Sequence, residues 1–73
     1  MAKIIVLSSK GDDVLEFKPD NAAAVNEAQA LFDRLRSQKY AAFKVDGATQ
    51  GEQIRSFDPN AETILMTPPI VAG

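Results

Sequence analysis

Between Ala22 and about Gln38 the chain carries a stretch whose periodicity predicts a helix. Val25, Ala28, Leu31, Phe32 and Leu35 recur at helical spacing and make one apolar stripe, with Asn26, Gln29, Asp33 and Arg36 opposite. Pro19 stops what precedes it, and Asp20 or Asn21 supplies an N-cap. Arg34, Arg36 and Lys39 crowd the other end, where cations suit the helix dipole. A lone amphipathic helix must bury its stripe against something. In a chain of 73 residues the only other material is strand, so the helix needs a sheet.

The strand signals lie on both sides of it. Ile4-Ile5-Val6-Leu7 is a short apolar run, and Val14 to Lys18 is a mixed apolar-polar strand candidate. Ser8 to Asp13 between them is rich in turn formers, with Gly11 available for positive φ, so the two runs predict a hairpin with Asp12 and Asp13 in its loop. After the helix, Tyr40 to Val45 predicts a third strand closed by a turn at Asp46-Gly47. Ala48 to Glu52 reads as a loop. Ile54 and Phe57, flanking Arg55-Ser56, suggest a short strand, and Asp58 to Ala61 a turn. Thr63 to Thr67 is the last strand, ended by Pro68-Pro69.

The first and last strands carry apolar residues at consecutive positions, which suits the middle of a sheet. They are expected to lie side by side and parallel, in a mixed four- to five-stranded sheet with the helix across one face, an α+β architecture. Val25, Leu31, Phe32 and Leu35 should pack on Ile4, Val6, Phe17, Phe43 and Ile64. Alternation then turns Ile5, Leu7 and Leu65 away from the helix, and Ala42 with them if Ala41, Phe43 and Val45 point inward. One helix covers one face only, so Ile5, Leu7 and Leu65 form an uncovered apolar patch. Such a patch marks a protein partner or a homodimer contact.

Composition narrows the chemistry. The chain has no cysteine and no histidine, which removes thiolate nucleophiles, most zinc sites and histidine-based triads. No catalytic residue, metal site or cofactor is expected. Adjacent acids such as Asp12-Asp13 are ordinary turn residues. Gly47 and Gly51 lack the Lys-Ser/Thr context of a phosphate loop. Tyr40 reads as a half-buried packing residue. A net charge of −2 with scattered basic residues argues against nucleic acid, and no apolar run approaches a membrane span. The expectation is a single domain over 1–73 in the cytoplasm, with 68–73 as a C-terminal tail.

The order hairpin, helix, strand, short strand, strand resembles the β-grasp, the ubiquitin-like fold. The end of the chain carries a narrower resemblance. Phe57-Asp58 through Glu62, followed by Thr63-Ile64-Leu65-Met66-Thr67-Pro68-Pro69-Ile70-Val71-Ala72-Gly73, is similar to the end of small sulfur carriers of the molybdopterin-synthase small-subunit and ThiS type. Four residues follow Pro69, as in those carriers, but Ala72 stands where they have glycine. The resemblance implies that an adenylating activating enzyme acts on the carboxylate of Gly73, in a protein modifier or sulfur carrier. Lack of bulk at Ala72 and Gly73 would admit the tail to a narrow channel. Pro68-Pro69 would hold it extended, and Ile70 and Val71 would bind the partner by burial. The other reading takes the same tail as a packing or docking element. The protein is then a structural or assembly factor, for instance a phage-associated one, that uses the fold only to dock on partners.

Overall fold

Ser9 and Lys10 are all that separates the first two strands of the computed structural model. It describes residues 2–45 and 51–69. The elements in chain order are β1 (Ala2–Ser8), β2 (Gly11–Phe17), α1 (Ala22–Ser37), β3 (Ala41–Val45), β4 (Glu52–Ile54) and β5 (Thr63–Thr67). The hairpin is tighter than its composition suggests. Gly11 takes φ +122°, open to glycine alone at little cost, and the Ser8 hydroxyl donates to the Gly11 carbonyl at 2.7 Å. Asp12 and Asp13 are therefore strand residues paired with Leu7 and Val6, not loop residues.

Asn21 is the N-cap of α1: its side-chain oxygen accepts the Ala24 N–H at 3.2 Å. The helix ends where Lys39 takes φ 69°. The Tyr40 N–H then donates to the Leu35 carbonyl at 3.0 Å, and Arg36 Nη1 donates to the Tyr40 carbonyl at 2.7 Å. The last turn of α1 is thereby tied to the first residue before β3, which sets where that strand enters the sheet.

The five strands are ordered β2-β1-β5-β3-β4. β1 and β5 are parallel at the centre, and every other pair is antiparallel. With α1 packed on one face, this is the β-grasp architecture. Ile4, Ile64 and Met66 are fully buried beneath Ala28, Phe32 and Leu35, and Val25 and Leu31 pack at the margin of this core. Each large side chain so buried contributes about 1.5–3 kcal/mol.

Two further expectations are corrected. The short strand spans Glu52–Ile54, so Phe57 lies outside it. Phe57 packs from the following loop, with its ring centroid 6.1 Å from Phe17 and 5.7 Å from Phe32. The parity of β3 is also opposite to that expected. Ala42, paired with Met66 and Ile54, is fully buried, whereas Phe43 pairs with Leu65 and so turns away from the helix. The reason lies in Lys44, which shares the helix side with Ala42. Its ammonium reaches the Asp58 carboxylate at 3.4 Å while its stem covers the sheet. The Asp46-Gly47 turn and the tail residues Ile70, Val71, Ala72 and Gly73 lie outside the described residues.

Candidate functional site

The face of the sheet opposite α1 is built by register. Ile5 pairs with Val14 on one side and Leu65 on the other, and Leu65 pairs with Phe43. Paired residues point to the same face, with Cβ atoms about 4.5–5.5 Å apart in antiparallel neighbours. Val14, Ile5, Leu65 and Phe43 therefore form one continuous apolar row across β2, β1, β5 and β3, ended by Gln53 on β4. Val45 and Thr63 lie in the next row with Lys3 and Glu16. On the other side of the apolar row come Asp12 with Leu7, and Thr67 with Ala41.

This arrangement brings Ile5, Leu7 and Leu65 together on one face, as alternation from the sequence suggested, and adds Val14, Phe43 and Val45. Ala42 is not among them. Val14, at the edge, is 53% exposed, and Ile5, Leu7, Leu65, Phe43 and Val45 are half-buried because each shields its cross-strand neighbours. Among the described residues no element packs over this row. Its charged groups sit at the rim: Lys3 and Glu16 at one end of the strands, Asp12 at the other. Polar rim around an apolar centre is the layout of a protein-binding surface.

The other half of the predicted site is the tail. β5 leads directly into Pro68 and Pro69, both exposed. Gly73, Ala72, Ile70 and Val71 lie outside the described residues, so their expected roles remain properties of the sequence. Tyr40 is half-buried against the core, as expected of a packing residue.

On the helix side of β2 a cleft of about 300 Å³ opens between β2 and α1, floored by Val6, Leu15, Leu31 and Leu35 and rimmed by Asp13 and Arg34. A smaller polar hollow of about 220 Å³ lies at the start of β1, beside Lys3, Glu16 and Glu62. Among the described residues, no three Asp or Glu side chains come together in a way that would hold a metal ion. No helix among them is long and apolar enough to cross a membrane.

No protein-family model, no curated protein and no solved structure matches the chain.

Proposed function

We propose that this chain is a ubiquitin-like docking protein, without a catalytic centre of its own, that binds a protein partner through the open face of its sheet. The observation that carries the reading is the row Val14–Ile5–Leu65–Phe43, four apolar side chains in register with no covering element among the described residues. Burial of such a row stabilises a complex by about 25 cal/mol for each Å² of apolar surface removed from water, before the costs of association. The cytoplasm, where activating and assembly partners of this kind would be met, is part of the same proposal.

The exposure of Pro68 and Pro69 directly after the central strand favours a more specific form of this reading. Leu65 on the docking face lies three residues before Pro68, where the tail begins. A partner seated on Leu65 is within about 29 Å of Gly73, the extended reach of the eight residues after Leu65. In this form the partner is an activating enzyme and the protein is a modifier or sulfur carrier reacting through Gly73, with Ala72, Ile70 and Val71 guiding the tail.

Photo-crosslinking tests the docking reading. A photoreactive residue at position 65 should crosslink to one protein partner in cells, whereas the same residue at Gln29, exposed on α1, should not. Crosslinks only between copies of the chain would replace the partner by a homodimer, and none at all would end the proposal. The carrier form is tested by ATP–pyrophosphate exchange with an adenylating enzyme that crosslinks at position 65. One residue added after Gly73 should abolish the exchange and leave stability unchanged.

A further inference from the structure

The Lys3 N–H donates to the Glu62 carbonyl at 3.1 Å, so the backbone of Lys3 faces β5 rather than β2. Lys3 pairs with Glu16, and that pair is consequently one of the non-hydrogen-bonded pairs of the β1–β2 ladder. Such pairs alternate with hydrogen-bonded ones, so Ile5–Val14 and Leu7–Asp12 belong to the same class. The backbone N–H and C=O groups of Asp12, Val14 and Glu16 therefore point away from β1. β2 is the edge of the sheet, and these groups face outward. A seven-residue edge strand of this kind is a template for one more strand.

Two surfaces decide which strand fits. Residues of an added strand alternate between the open face and the helix side. Those on the open face meet the side chains of Asp12, Val14 and Glu16, two carboxylates around one apolar contact. Those on the helix side meet the cleft between β2 and α1, lined by the half-buried Leu15 and Leu31. The nearby cations are Lys3, across from Glu16, and Arg34 at the cleft rim. Lys10 and Lys18 stand beyond the ends of β2, so the middle of the edge remains acidic on its open side. A second copy of this chain is a poor occupant. Two antiparallel β2 strands centred on Val14 would set Asp12 against Glu16 of the other copy, and like charges placed opposite are destabilising.

We infer that the β2 edge binds an extended segment of a partner protein in which basic and apolar residues alternate, its backbone pairing with Asp12, Val14 and Glu16, its basic side chains on the open face and its apolar ones in the α1–β2 cleft. This site shares Val14 with the open-face row but does not depend on Leu65 or Phe43.

A fluorescein-labelled nine-residue peptide of alternating lysine and valine, titrated by fluorescence anisotropy, tests the inference. It should bind, and binding should weaken about tenfold or more between 50 and 300 mM salt because the rim contacts are solvent-exposed ion pairs. The glutamate–valine counterpart should not bind. Val14→Pro removes an outward N–H that the β1–β2 ladder does not use, and it should abolish binding. Phe43→Ser should leave binding unchanged, which separates this site from the open-face reading. Asp12→Lys with Glu16→Lys should reverse the preference toward the glutamate–valine peptide, a readout that stands even if Val14→Pro fails to fold. Hydrogen exchange should show the amides of Asp12, Val14 and Glu16 protected by the peptide. Binding without that protection, or binding insensitive to the charge reversal, would overturn the inference, as would self-association of the protein through β2.

Discussion

Phe43 stands directly across from Leu65, on the side of the sheet that α1 leaves open. The largest side chain of β3 thus lies on the open face, half-buried, and an alanine, Ala42, takes the core position. Replacing Phe43 with Ala removes one cross-strand pair and part of a half-buried ring, so it should cost only about 1–2 kcal/mol. Urea denaturation should show a folded domain with a lowered midpoint. An unfolded variant would place Phe43 in the core after all.

Phe32 is the contrasting case. It is 1% exposed and its ring lies against Phe57. Phe32→Ala leaves a cavity beneath the helix and should cost about 3–5 kcal/mol. A domain of this size has about 4–11 kcal/mol in all. The thermal melt should therefore be lost or broadened at ordinary temperatures, and a barely shifted melt would contradict helix-on-sheet packing.

Lys39 holds φ 69° at the end of α1, a conformation that strains any residue with a Cβ. Lys39→Gly relieves that strain and adds flexibility to the unfolded chain. The net gain should be about 0.5–1 kcal/mol, seen as a rise of about 2–8 °C in Tm. A fall in Tm would mean that the lysine side chain contributes more than its backbone costs.

The ion pair of Lys44 with Asp58 leaves 27% and 34% of the two side chains exposed, so solvent screens it. A double-mutant cycle should give a coupling of about 0.2–1 kcal/mol that shrinks in 1 M salt. The two partners are not equivalent. Asp58 also accepts the Asn60 N–H at 2.9 Å within the turn before β5. Asp58→Ala should consequently destabilise more than Lys44→Met in equilibrium unfolding. Equal losses would show that the turn does not need its carboxylate.

Local physics sufficed for much of this molecule. The α1 stripe, the Asn21 cap and the stop at Pro68-Pro69 are written in residues within a turn or two of one another, so periodicity and capping chemistry predict them. The consecutive apolar residues of β1 and β5 likewise announce a central pair, and that pair is what makes the fold a β-grasp. Alternation along those two strands was enough to put Ile5, Leu7 and Leu65 on one face. β3 was different. In Ala41-Ala42-Phe43-Lys44-Val45 size and polarity point in opposite directions, and neither parity is clean. The choice came from contacts distant in sequence: the register with Met66, the space left under a helix already carrying Phe32, and Asp58 waiting for the Lys44 ammonium. Phe57 was drawn into the core from a loop for the same reason, by Phe17 and Phe32. The sequence by itself determined which elements form and which strands lie at the centre, because propensity and patterning act along the chain. Only the tertiary structure decided which side of β3 faces the helix, and with it the full apolar row and the outward-facing edge of β2, because strand register is a property of neighbours that the chain brings together only on folding.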